Sequence, residues 1–316
     1  MQNPQRSPSM HSIRQLRPFA GAAGVILATL AACPLFASCG SDFKKTVDAL
    51  PPPRTEAGLE RFEFRSSLLK KTMGMYVYLP PGYAPGKTWP VVYLLHGYRN
   101  DEIEWFEYHH LGEVADRLIA EGKMEPVIIV APRMDNGWGL DSGEPAMDGP
   151  SPKSALYRGP YESYFLKEVM YLAETRYGAS RERAKRSLGG ISMGGFSALH
   201  IGFRHPELFA KIGGHSPAIR GWDVPDFFIY SDGRKRSEHD PIELARTRDL
   251  KGARVFLDCG EEDELIAGAR ELAQTLKERN VDVTLLTAPG GHNGAYWHAH
   301  LERYLLFYAG KRSAIP

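Results

Sequence analysis

The sequence predicts an α/β fold: a mostly parallel central sheet, antiparallel strands at its N-terminal edge, and helices on both faces. Three observations predict it. Short continuous apolar runs recur along the chain, each followed by a segment of helical periodicity, the pattern of strands buried on both sides. The first two β-rich runs have no helical segment between them, which suits antiparallel neighbours at a sheet edge. Beyond residue 58 there is no second linker, internal repeat or low-complexity block, so one domain over 59–311 accounts for the pattern.

In order, Arg61-Phe62-Glu63-Phe64-Arg65 alternates polar and apolar side chains, and Met75 to Leu79 is rich in β-formers and closed by Pro80-Pro81-Gly82. Val91 to Leu95 precedes a helical pattern near 110–122, and Val127 to Val130 precedes a long loop and a helix near 161–177. Ser187 to Ile191 leads into a helix near 193–204, Arg254 to Leu257 into one near 264–279, and Val281 to Thr287 into a last one near 295–308. In open sheets of this kind ligands bind beyond the carboxyl ends of the strands, so chemistry is expected just after the apolar runs. The long loop Asp135–Gly159 and the segment Gly221–Asp240 are expected to border a substrate cleft, with Trp138 and Trp222 as substrate-binding candidates. A packed surface insertion is the other reading of Gly221–Asp240.

The 316 residues are 43% hydrophobic and 24% charged with a net charge of +1, which excludes wholesale disorder and weighs against nucleic acid as a partner. The N-terminus departs from that average. Arg6, Arg14 and Arg17 precede an apolar stretch from Phe19 to Phe36, and no acidic residue occurs before Asp42. Residues 1–39 therefore read as an export signal, starting at Met1 or Met10. Leu30-Ala31-Ala32-Cys33 and Phe36-Ala37-Ser38-Cys39 each resemble a lipoprotein cleavage box, so the expected location is periplasmic, extracellular or lipid-anchored, the lipid being the sole membrane contact. Residues 40–58, polar and carrying Pro51-Pro52-Pro53, read as a linker bound weakly or not at all to the domain. Cys259, the one cysteine outside the signal, follows an apolar run and is expected to be a buried, inert thiol.

Gly190-Ile191-Ser192-Met193-Gly194-Gly195 has the G-x-S-x-G pattern between a predicted strand and a predicted helix, the context that this nucleophile turn requires. A serine hydroxyl needs a base to take its proton and a third group to orient that base. His292, in the glycine-rich loop after Val281–Thr287, supplies the base. The acid comes from the cluster Asp258 to Glu264, where Asp263 is preferred because Asp258 falls within the strand and Glu261 and Glu262 border the next helix. Two backbone donors are needed for a developing oxyanion: the amide of Met193 after the nucleophile, and the amide of Tyr98 in His96-Gly97-Tyr98-Arg99. His96 itself reads as a structural hydrogen-bonder. No H-E-x-x-H or C-x-x-C spacing occurs, so no metal and no cofactor is expected.

These residues, with Tyr93-Leu94-Leu95-His96-Gly97, His205-Pro206-Glu207-Leu208-Phe209, Cys259-Gly260-Glu261-Glu262-Asp263 and Gly290-Gly291-His292, make the chain resemble the esterase D family of α/β-hydrolases over residues 60–310. That group includes feruloyl and acetyl-xylan esterases, S-formylglutathione hydrolase, enterochelin esterase and mycolyltransferases. The resemblance implies the α/β-hydrolase fold, a Ser192–Asp263–His292 triad with Met193 and Tyr98 as amide donors, and hydrolysis of a small-molecule or polysaccharide-linked ester. Leu95-His96-Gly97 departs from the Leu-Asp-Gly of mycolyltransferases, and Ile191 from the Gly-His-Ser-Met-Gly-Gly of S-formylglutathione hydrolases. Short-chain or aromatic acyl esters are the expected substrates. The rival readings are an acyltransferase with the same triad and a catalytically silent carbohydrate- or envelope-binding module.

Overall fold

The computed structural model describes residues 41–149, 151–152, 155–219 and 238–311. Its centre is an eight-stranded sheet of β1 (Gly58–Arg65), β2 (Thr72–Leu79), β3 (Val91–Leu95), β4 (Ile128–Pro132), β7 (Arg186–Ile191), β8 (Lys211–His215), β9 (Arg254–Gly260) and β10 (Asp282–Ala288). The order across it is β1-β2-β4-β3-β7-β8-β9-β10. β2 pairs antiparallel with both β1 and β4, and every pair from β4 to β10 is parallel. The α/β class and its antiparallel edge are thus as the apolar runs predict.

Alternation within the central strands sends side chains to two separate cores. Val91, Tyr93 and Leu95 of β3 join one cluster while Val92 and Leu94 join the other. The first core is covered by α3 (Tyr161–Tyr164), a π-helical turn (Phe165–Val169), α4 (Met170–Tyr177), α5 (Met193–Arg204), α6 (Pro241–Thr247) and α7 (Ile266–Glu278). The second is covered by α2 (Leu111–Ala120) and α8 (Gly294–Ala309). Behind α5, the buried Glu162 carboxylate gathers His200, Arg204 and His205. Burial raises its pKa, but these three partners outweigh burial and leave it well below the carboxylate range.

Two expectations are corrected. Residues 41–58 are not a detached linker, because α1 (Ser41–Asp48) inserts Phe43, fully buried, against Phe64 at 6.0 Å and Tyr171 at 6.2 Å. Val47 and Leu50, partly buried, pack against the same core, so the segment is tied to the domain at more than one point. The long loop at 135–159 is partly a ribbon, β5 (Asp141–Asp148) against β6 (Leu156–Pro160). Residues 1–40, which hold the predicted signal, and residues 220–237, which hold Trp222 and most of the segment Gly221–Asp240, lie outside the described residues. Among the described residues, no helix is long and apolar enough to cross a membrane.

The docking of α1 makes a prediction. Phe43→Ala is expected to release the helix, so that limited trypsin digestion cuts at Lys44 or Lys45 at protease ratios that leave the native chain intact, with little change in thermal midpoint. Equal resistance in the variant would mean that the helix is held by contacts other than Phe43.

Candidate active site

Ser192 stands between β7 and α5 with φ 55° and ψ −114°, a left-handed strain that non-glycine residues adopt only where the surroundings enforce it. The enforcement is visible on both sides. Its N–H bonds the His215 carbonyl of β8 at 2.8 Å, and its carbonyl accepts the N–H of Phe196 and of Ala218, each at 3.0 Å. A Cβ at Gly190 would lie 2.4 Å from the carbonyl of Gly194, and one at Gly194 would lie 2.3 Å from the carbonyl of Leu95. Both positions must be glycine for the turn to close against β3.

The loops after β9 and β10 meet over this serine. His292 Nδ1 lies 2.9 Å from Asp263 Oδ2, and His292 Nε2 lies 2.9 Å from Ser192 Oγ. An ionised carboxylate only accepts, so the ring proton sits on Nδ1 and Nε2 is left to accept from the serine hydroxyl. Asp263 is 2% exposed and its second oxygen accepts the Leu265 N–H at 2.9 Å. Burial raises the Asp263 pKa, but the hydrogen bonds from His292 and Leu265 outweigh it and hold the carboxyl below its ordinary value. Trp297 presents itself nearly perpendicular to the His292 ring at 5.1 Å.

Asp258, the neighbouring acid, is engaged elsewhere. It lies in β9 and is fully buried, with one oxygen 2.6 Å from His215 Nδ1 and the other accepting Tyr304 Oη–H at 2.7 Å. His215 Nε2 in turn faces the Tyr308 hydroxyl at 2.9 Å, which closes a fully buried network behind the serine turn.

Met193 is the first residue of α5, so its N–H is one of the helix's leading unbonded donors, at the positive end of the helix dipole. The opposing loop is clamped from several directions. The Met134 N–H donates to His96 Nε2 at 2.8 Å, which fixes the proton on Nδ1, and Nδ1–H then donates to the Gly97 carbonyl at 2.8 Å. His96 is thus the structural residue that its position suggests. The Gly97 N–H donates to Glu104 Oε2 at 2.6 Å, and the Arg99 N–H to Asn136 Oδ1 at 2.8 Å. The Tyr98 peptide between them is therefore held at both neighbours. Glu104, which the sequence reading missed, is 2% exposed and also accepts from the Asn100 side-chain amide. Burial pushes its pKa up to about 7. An acid in a short segment before a helix carries no signal that it will fold inward.

Trp138 does not wall an open cleft: it is 2% exposed, with φ 57°. Its ring packs edge-on against Phe196 at 5.4 Å and lies 6.4 Å from the Tyr98 ring, in a cluster that includes Met193. It backs the residues that bear the two amides. Cys259 is buried as expected.

The arrangement can take a proton from a hydroxyl, orient the base, and present backbone donors across a strained turn. A family model described as putative esterase matches residues 66–308. An esterase of Mycobacterium tuberculosis is 26% identical over 265 residues, covering 73% of this chain and 55% of its own length. An acetyl esterase of Caldicellulosiruptor saccharolyticus is 23% identical over 270 residues, covering 76% of this chain and 94% of its own. A solved structure of a ferulic acid esterase superposes with a TM-score of 0.67 at 27% identity, covering 80% of this chain and 98% of that one. The chain spans about half the length of the mycobacterial relatives it matches.

Proposed function

The chain belongs to the putative-esterase family, and from that membership we propose that it is a serine carboxylesterase working through an acyl-enzyme on Ser192. The observation that carries the reading is the unbroken relay Ser192–His292–Asp263, with both contacts at 2.9 Å. In this mechanism His292 Nε2 accepts the Ser192 proton as Oγ attacks the ester carbonyl. The amides of Met193 and Tyr98 hold the tetrahedral oxyanion. His292 then gives the proton to the departing alcohol, leaving the acyl group on Oγ. Water repeats the sequence, losing a proton to His292 and releasing the carboxylic acid, while Asp263 keeps the imidazole in one tautomer and balances its charge. No metal or cofactor enters any step.

The acyl group is short-chain or aromatic. Support comes from the names of an acetyl esterase and a ferulic acid esterase among the similar proteins. Export by a signal within residues 1–39, with Cys33 or Cys39 as the site of a lipid anchor, is part of the same proposal, supported by the basic start, the apolar stretch and the two cleavage-box patterns.

A fluorophosphonate probe is expected to label the wild-type protein and to leave Ser192→Ala unlabelled. On p-nitrophenyl esters, acetate to butyrate should exceed palmitate in kcat/KM by about tenfold or more, about 1.4 kcal/mol in transition-state binding. Labelling of Ser192→Ala would remove the serine mechanism, and equal rates for butyrate and palmitate would point to a lipid-facing site.

A further inference from the structure

Strand β8 ends between the strand that leads to Ser192 and the strand that leads to Asp263. In register, Ile191 of β7 faces His215 of β8, and His215 faces Asp258 of β9. One residue further along, Ser192, Ser216 and Cys259 follow at the same level of the sheet, just before the loop that bears Asp263. Cys259 packs there with Met193 and Leu265, neighbours in sequence of the serine and of the acid. The backbone fixes Ser216 in this row. Its N–H donates to the Asp258 carbonyl at 2.8 Å, and the carbonyl of the preceding His215 accepts the Ser192 N–H at 2.8 Å.

Two features of Ser216 work against stability. Its φ is 44°, in the left-handed region that non-glycine residues enter at a cost. Its side chain is fully buried and the hydroxyl has no hydrogen-bond partner at rest, whereas buried polar groups are nearly always paired. The acceptor it faces is Asp263. Burial raises the pKa of that carboxyl; His292 and Leu265 lead the groups that pull it down, and the Ser216 hydroxyl is one of them. A hydroxyl lowers a carboxyl pKa when it turns its O–H toward the charged form. The carboxylate has room for it. Of about four lone-pair positions, one faces His292 Nδ1 and one takes the Leu265 N–H, each at 2.9 Å. At 2% exposure, Asp263 has little access to water as a further donor.

We propose that Ser216 is a positioning residue of the Ser192–His292–Asp263 relay, its hydroxyl closing onto Asp263 in the transition state as a third donor. The inference rests on the serine-esterase reading above. Catalytic hydrogen bonds are often open in a substrate-free site and tighten as the reaction proceeds. Here the closing motion is a rotation of one hydroxyl, and its proton stays on Ser216. The carboxylate is then held at three points while His292 carries the Ser192 proton, so the imidazolium keeps its orientation toward the departing alcohol. The orphaned hydroxyl is a cost at rest that the transition state relieves. An interaction made only there raises kcat and leaves KM alone.

The test removes the hydroxyl with Ser216→Ala, and with Ser216→Gly, which accepts the left-handed backbone if the alanine variant folds poorly. Each is expected to lower kcat on p-nitrophenyl acetate about tenfold, the effect of one hydrogen bond to a charged group, with KM held within about twofold. The thermal midpoint of Ser216→Ala should not fall, because the orphaned hydroxyl is gone. In an Asp263→Asn background the same replacement should cost less than about twofold, since the hydroxyl acts through that carboxylate. A kcat within twofold of the wild type in both variants would overturn the proposal, as would a tenfold loss that persists in Asp263→Asn. A loss of rate matched by a drop in thermal midpoint in both variants would assign Ser216 to folding and overturn it too. These results leave the esterase reading standing; retention of hydrolysis by Ser192→Ala would instead remove that reading itself.

Discussion

Asp263→Asn is expected to lower kcat on p-nitrophenyl acetate by about 10⁴ while the protein stays folded, as loss of the orienting acid does in other serine triads. The reason is the direction of one proton. Asp263 Oδ2 faces His292 Nδ1 at 2.9 Å and, as a carboxylate, can only accept. An asparagine whose side-chain nitrogen takes that place donates instead and drives the ring proton to Nε2. The nitrogen facing Ser192 Oγ at 2.9 Å then has no lone pair to offer. Volume and the contact to Leu265 hardly change, so the thermal midpoint and KM should move little. Asp258→Asn provides the contrast, because Asp258 is tied to His215 and Tyr304, and its loss should appear first as reduced stability. A rate for Asp263→Asn within tenfold of the wild type would refute the assignment. The depressed Asp263 pKa also has a sign: the stability it contributes is present above the unfolded carboxylate pKa and is lost as pH falls through the lower folded value.

Gly194→Ala is expected to cost about 10²-fold in kcat/KM and about 1–3 kcal/mol in stability together. The added methyl would sit 2.3 Å from the Leu95 carbonyl oxygen and 2.6 Å from that of His96, both backbone atoms that cannot rotate aside. Relief must come from separating the start of α5 from the end of β3. That movement pulls the Met193 amide away from the Tyr98 amide, the two donors proposed for the oxyanion. Parallel measurement of kcat/KM and thermal midpoint checks both halves. Wild-type kcat/KM in this variant would show that the spacing between the two donors does not matter.

Much of this architecture was legible because the fold places its chemistry after apolar strands. Val91–Leu95, Ser187–Ile191, Arg254–Leu257 and Val281–Thr287 announce themselves by composition, and the loops after them hold Tyr98, Ser192, Asp263 and His292. The helix expected near 264–279 occurs as Ile266–Glu278, and that near 193–204 as Met193–Arg204. Strand β8 was illegible although it lies inside the sheet. Lys211-Ile212-Gly213-Gly214-His215 has few β-formers because its glycines answer tertiary demands. A Cβ at Gly213 would meet the Tyr308 hydroxyl at 1.9 Å, and one at Gly214 would meet Leu199 at 2.7 Å. The ribbon strand Asp141–Asp148 is polar and contains Pro145, so local propensity speaks against it. Helix α1 is short and polar apart from Phe43 and Val47, and only docking reveals its role. Glu104 and the Asn136 clamp were hidden for the same reason: side chains that hold a loop from beneath leave no periodic trace.

The seclusion of Cys259 has a practical consequence. Its thiol is fully buried on β9, and burial, reinforced by the Asp263 charge, pushes its pKa far above the range in which thiolate forms. Alkylating reagents act on thiolate, so in a chain carrying Cys33→Ser and Cys39→Ser they should find nothing to modify while β9 stays in the sheet. Modification then becomes a clock for local opening of the strand that leads to Asp263. Its rate under mild denaturant would measure how often that acid's support lets go, independently of any turnover assay.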